Sequence, residues 1–292
     1  MLRLIERPGR DALLRVPPAA RALVSWNTVA PAGALSLTAH RTDATTSVPL
    51  PYVRWSPGER RSLGGADPAT RIEVDIVRSD VPLAAIGVAS SVELDAIAVS
   101  VPPHDVRSLG PTRAATLDVP ALSQYVAAYP DQRGWCSATA LAMLLRFHGV
   151  TVDVPTVAQA VYDASYEGTG NWSFNAAYAG ALGLRGVVAY LRGIEHAAAF
   201  IDAGLPIAIS ISWTSGQLSG APLEHSDGHL LVVRGVDDEY VAVNDPAHPS
   251  VATRYPRAAL DEVFAAAGGV AYLIAPRSRT AELVALANGD AR

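Results

Sequence analysis

The sequence predicts two units of different class: an all-β sandwich, jelly-roll-like, over residues 1–105, and an α+β domain over residues 117–292, joined by a linker at 106–116. Three observations predict this. Short β-like runs broken by Pro, Gly and Asp fill the first third. Residues 134–149, GWCSATALAMLLRFHG, carry apolar side chains at helical spacing. Valine-rich runs at 228–236 and 240–244 then read as buried strands. Half of the 292 residues are hydrophobic, enough to bury more than one core.

In the first third, the runs ALVSWNTVAPAGALSLTAHRT, RIEVDIVRS, LAAIGVASS and LDAIAVSVP are separated by turn residues, the pattern of a sandwich. Arg107 to Thr116, with Ser108, Gly110 and Pro111, reads as the linker. The Trp26–Asn27 and Arg54–Trp55 segments look like parts of carbohydrate-binding-like sandwiches, which makes a carbohydrate or cell-wall contact a candidate role for this unit. The commoner fate of such rings is burial in a core.

The α+β unit opens on the only cysteine of the chain. Cys136 stands where a loop turns into a helix. Leu141, Leu144, Leu145 and His148 then line one helical face, and Gly149 can close the helix. A lone cysteine is most often a small buried hydrophobe. At a helix N-terminus, however, it meets unpaired N–H groups and the positive end of the macrodipole, which favour the nucleophilic thiolate. Two downstream points support chemistry. His229 enters the strand GHLLVVRGV, and YVAVNDP brings a second strand to Asn244 and Asp245. The polar Asp237–Asp238–Glu239 between them is short enough for a hairpin, and antiparallel neighbours could set His229 beside Asp245. A thiol, an imidazole and a carboxylate to orient it are the parts of a cysteine hydrolase.

Further helices are expected over 152–162, entered from Asp153 with Pro155 in the first turn, over 174–182, and over 193–203. Strands are expected over 205–213 and near 269–277, giving a central antiparallel sheet packed against the Cys136 helix. Trp135, Asn171 and Trp172 are candidate substrate-binding residues; for the last two, a helix cap and a core ring are equally fitting roles.

At VPALSQY (119–125), GWCSATALAMLLRFHG (134–149), DGHLLVVRGVDD (227–238) and VAVNDPA (241–247), the chain resembles the bacteriocin-processing, double-glycine leader peptidases of the papain-like superfamily, particularly their stand-alone relatives. The resemblance spans about residues 117–275 and leaves the first third uncovered. It implies a papain-like cysteine peptidase domain acting on a peptide or protein, with Cys136 as nucleophile, His229 as general base and acid, and Asp245 orienting the imidazole. It also implies a glutamine as oxyanion-hole donor, and Gln124 matches the stand-alone relatives; Gln132, closer to the cysteine, is the alternative. Two features depart from the family. Exporter-linked members carry membrane-spanning segments, whereas the apolar stretches at 136–147 and 205–213 are too short or interrupted to span a bilayer. Ser137–Ala138–Thr139 also follow the cysteine where relatives often carry proline or glycine.

Net charge −5 and the lack of a basic run argue against a nucleic-acid partner. One cysteine excludes an intramolecular disulfide framework. The first sixteen residues carry charges throughout and do not read as a signal peptide. A cytoplasmic location is expected if the first Met is the natural start, and export if a leader has been removed. No cofactor is expected. The competing chemistry is a metal site at Glu224, His225, Asp227 and His229, where 225, 227 and 229 would share one face of an extended segment. Gly228 interrupts that strand, and a metal there leaves Cys136 without a role, so no metal is assigned. His148 reads as a helix-end imidazole and His248 as a loop residue. The functional classes are a thiol hydrolase cleaving peptide or isopeptide bonds, an acyltransferase sharing its thioester, and an inactive peptidase-fold binding protein.

Overall fold

The computed structural model describes residues 1–103, 116–132 and 134–290. The predicted linker lies outside the described residues except for Thr116, which bridges to Gly235.

Residues 1–100 contain strands and no helix. Two long strands dominate, β1 (Leu2–Asn27) and β6 (Ile76–Ser100), with the shorter β2 (Gly33–Arg41), β3 (Leu50–Ser56), β4 (Glu59–Ser62) and β5 (Thr70–Glu73). All belong to one continuous antiparallel sheet, ordered β1-β6-β2-β3-β4, with β5 also paired to β6. The sheet curls until β1 meets β6 twice. Leu2 and Leu23 both pair with Ser100, one on each edge of the same stretch. This curl encloses a core of Trp26, Leu37, Tyr52, Ile86 and Val99, among others. The sequence reading missed the first half of β1 because Pro8, Gly9, Pro17 and Pro18 imitate loop punctuation. The strand absorbs them at register shifts, where a missing N–H or an extra residue is tolerated. Trp26 and Trp55 are buried and stack together at 5.5 Å, so their rings follow the core reading.

The α+β unit has a second six-stranded antiparallel sheet, made of β7 (Leu184–Tyr190), β8 (Ile207–Trp213), β9 (Ser226–Val236), β10 (Tyr240–Asn244), β11 (Ala252–Pro256) and β12 (Val270–Pro276), in the order β11-β10-β9-β8-β12-β7. On one face lie α1 (Cys136–Phe147), α2 (Val154–Val161) and α3 (Trp172–Ala181), and on the other α4 (Ile194–Asp202), α5 (Arg257–Ala266) and α6 (Thr280–Asn288). The central strands are therefore apolar on both sides: Ala208, Leu230 and Val232 face α1, while Ile207, Ile209 and Leu231 face the other helices. α1 is buried from Ser137 to Leu145, which is why its small residues Ala138, Ala140 and Ala142 alternate with large ones. The sequence reading did not assign β7, β11, α5 or α6.

The two sheets meet along β7, the edge strand. Its outward amides at Gly186, Val188 and Tyr190 are accepted by Asn27 Oδ1 (3.2 Å), Ser25 Oγ (3.1 Å) and Ser100 Oγ (3.0 Å). Asn27 returns a hydrogen bond to the Gly186 carbonyl at 2.8 Å. An edge that would otherwise present unpaired backbone is thus satisfied by side chains at period two. Two glycines permit the approach. A Cβ at Gly186 would lie 2.3 Å from the Ala176 carbonyl oxygen of α3, and one at Gly180 would lie 2.5 Å from Asn27 Cβ. α3 contributes Phe174 to the core of the first sheet, and Ser173 and Tyr52 both donate to the Val24 carbonyl.

Candidate active site

Cys136 is the first residue of α1, half-buried, beneath the end of β9. The helix has no acidic side chain in its first turn and no side-chain cap, so its N-terminal amides and dipole act on the thiol undiminished. His229 lies on β9 opposite Ile211 of β8, buried, with Trp213 edge-on to its ring at 5.7 Å. Its Nε2 is 2.7 Å from Asp245 Oδ1. The ring's other nitrogen, Nδ1, is left for the hydrogen bond to Cys136.

The β9–β10 pairing brings Asp245 to the imidazole. Asn244 sits opposite Val232 after a bulge at Ala242–Val243, and Asp245 follows at the strand end. Asp245 is fully buried. Its Oδ1 also accepts the Ala247 N–H at 2.9 Å, and its Oδ2 accepts the Tyr255 hydroxyl at 2.7 Å. Burial alone would push this carboxyl up, but the hydrogen bonds and charge of His229, with Tyr255 and Ala247, hold it below the usual carboxylate range.

The thiol and the imidazole shift in opposite senses. Burial raises the Cys136 thiol; the hydrogen bond and charge of His229 and the N–H groups of Leu230 and Ser137 outweigh it, and the net shift is downward. Burial lowers His229; the bonds to Asp245 and Cys136 and the two negative charges reverse this and raise it to about 10. Both shifts favour a thiolate–imidazolium pair, the reactive form of a cysteine nucleophile.

Of the two glutamines, Gln124 is buried, and its N–H donates to the carbonyl of Pro246, next to Asp245. Gln132 is exposed and lies on a groove of about 910 Å³ with Tyr129, Trp135 and Tyr162. Trp135 directly precedes α1 and packs on Tyr129 at 5.3 Å, so it borders that groove beside Cys136. Cys136 itself opens into a cleft of about 550 Å³, which Trp172 also lines. Asn171 corrects the substrate-binding expectation. It is fully buried, its Oδ1 caps α3 through the Phe174 N–H, and its Nδ2 donates to Asp163, so no part of it remains for a ligand.

The competing metal cluster does not converge. His229 has both nitrogens committed, whereas His225 and Asp227 are exposed, and no group of three ligating side chains occurs among the described residues. His148 Nε2 donates to the Ile274 carbonyl (2.9 Å) at the end of α1, and His248 bonds Ser250 within a loop. Tyr255 and Trp213 escaped the sequence reading. Their only signal is an aromatic residue in or at the end of a short strand, which is common in any core.

Solved structures similar to the chain include a C39-like peptidase from Bacillus anthracis, at 21% identity over 55% of this chain and 96% of that one, with a TM-score of 0.41. A double glycine motif protease from an AMS/PCAT transporter, in complex with the leader peptide, is 20% identical over 57% and 97%, at 0.40. The peptidase domain of Streptococcus ComA, a bi-functional ABC transporter involved in quorum sensing, is 18% identical over 54% and 98%, at 0.39. No curated protein matches the chain significantly. The family model described as Peptidase_C39 like family matches residues 116–272, the stretch that carries Cys136, His229 and Asp245, and the chain belongs to that family.

Proposed function

We propose that the protein is an active cysteine peptidase that cleaves a peptide or isopeptide bond through an acyl-thioester on Cys136. The observation that carries this is the buried chain from Asp245 through His229 to the thiol at the start of α1, with the 2.7 Å Nε2–Oδ1 bond at its centre. His229 holds the thiol proton as imidazolium, and the Cys136 sulfur attacks the scissile carbonyl carbon. The oxyanion is met by the Cys136 N–H and the Gln124 side chain. As the C–N bond breaks, Nδ1 of His229 gives its proton to the leaving amine. A water molecule, deprotonated by the same nitrogen, then attacks the thioester, releasing the acid and restoring the thiol. Throughout, Asp245 stabilises the imidazolium without taking its proton.

Family membership supports the peptidase class, and the opposite shifts of thiol and imidazole support activity over an inactive binding fold. The test is digestion of a diverse peptide mixture by wild type and by Cys136→Ala, read by mass spectrometry. Wild type should generate new termini, and the variant none. Cleavage that persists in Cys136→Ala refutes the assignment, and products formed only with an added amine acceptor identify a transferase instead.

A further inference from the structure

The cleft at Cys136 is not built by the family-matching stretch alone. Glu73, Val74, Asp75 and Ile76, from the turn between β5 and β6, line it together with Tyr166–Gly170, Trp172, Asp227 and Gly228. The turn is held firmly. Val74 sits in the left-handed region at φ 58°, a costly conformation for a β-branched residue. Arg71 and Arg78 both bind Glu73, and Asp75 Oδ2 accepts the Trp172 N–H at 2.6 Å at the start of α3. The first sheet therefore presents a fixed surface to the nucleophile.

The charge of that surface has one sign. The cleft is lined by Glu73, Asp75, Glu167 and Asp227, and by no arginine or histidine. Glu73 is neutralised by its two arginines, but among the described residues no basic side chain pairs with the other three. Burial pushes the Asp75 carboxyl up to about 7, so Asp75 adds its full charge only above neutral pH, whereas Glu167 and Asp227 face solvent. Glu167 and Asp227 are exposed, on separate loops that flank the thiol. We propose that Asp75, Glu167 and Asp227 select a substrate with a cationic side chain beside the scissile bond, so that the first sheet, through Asp75, is part of the specificity site. This rests on the reading of Cys136 as the nucleophile. Low-dielectric walls focus such a field, and a single charge pair at contact in a half-desolvated cleft gives about tenfold in binding.

Two measurements test it. The first compares the rates at which Cys136 reacts with a cationic trimethylammonioethyl and an anionic sulfonatoethyl methanethiosulfonate. In wild type the cationic reagent should be favoured, and the cation-to-anion ratio should fall about tenfold in Glu167→Gln/Asp227→Asn, whose sites are exposed and outside both cores. Asp75→Asn, which keeps an oxygen for the Trp172 N–H, should lower it further above pH 7, where the Asp75 carboxyl is ionised. The second compares kcat/KM for peptides with arginine or its neutral isostere citrulline flanking the cut, for which wild type should favour arginine. A ratio that the double substitution leaves unchanged, or equal cleavage of arginine and citrulline peptides, overturns the proposal. A Cys136 that reacts with neither reagent removes the nucleophile itself, a different result that takes this proposal with it.

Discussion

Tyr255→Phe isolates one interaction beneath the candidate site. The ring is 1 % exposed and its hydroxyl donates to Asp245 Oδ2 at 2.7 Å, so the substitution keeps the volume and deletes one donor to a fully buried carboxylate. A hydrogen bond to a charged group contributes about 2 kcal/mol, and the acceptor left behind has no water to replace it. For a chain of this size that corresponds to a fall in Tm of roughly 3 °C near neutral pH. The loss should depend on pH. The folded-state pKa of Asp245 is depressed, so the stability it brings is present above its unfolded value and is lost as pH falls through the lower folded value. The gap between wild type and variant should be full at pH 7 and shrink under acid conditions that protonate the carboxyl. Differential scanning fluorimetry at a series of pH values measures it. An unchanged Tm at neutral pH, or a gap that keeps its full size down to the lowest pH at which both proteins stay folded, would refute the role given to this hydrogen bond.

Alkylation of Cys136 by iodoacetamide should remain fast below the pH at which an ordinary thiol ionises, because its pKa is lowered, and turnover should decline as pH rises through about 10, where His229 loses its proton; His229→Ala should return the labelling profile to that of a common thiol. Gln124→Ala should reduce kcat by about a hundredfold with KM little changed, as expected for loss of an oxyanion donor, measured on the best peptide from the cleavage profile. Asn27→Ala removes the partner of both backbone groups of Gly186 and should cost about 3 kcal/mol, against about 1 kcal/mol for Ser25→Ala, read from urea midpoints.

The parts of the site were legible because their chemistry is local. A cysteine at a helix start, a histidine at a strand entrance and an aspartate after the paired strand each carry their own signal, and the hairpin between them fixes their relation. Asp153 and Pro155 marked α2 in the same way, and Asp153 indeed accepts the Thr156 N–H. What stayed hidden depends on tertiary contact. β1 was obscured because its prolines and Gly9 sit at bulges that only the partner strand defines. β7 has no alternation to read, since all seven of its residues are buried between two sheets and α3. Asn171 was ambiguous for a related reason: a cap and a ligand-binding amide have the same sequence, and only the burial of its side chain against Asp163 distinguishes them.

The side chains that close the edge of β7 also work as a register key. Along β1 the order Val24, Ser25, Trp26, Asn27 alternates between the core of the first sheet and the amides of the second. A slip of one residue would turn Trp26 toward bare peptide groups and Ser25 toward hydrocarbon, so only one alignment of the two sheets satisfies both faces. The same pairing makes the halves poor candidates for separate expression. Residues 116–290 alone would expose the Gly186, Val188 and Tyr190 amides on an apolar strand, an open template on which another copy could add its own strand. For this chain, trimming to the family-matching stretch exchanges a soluble intramolecular partner for an invitation to aggregate.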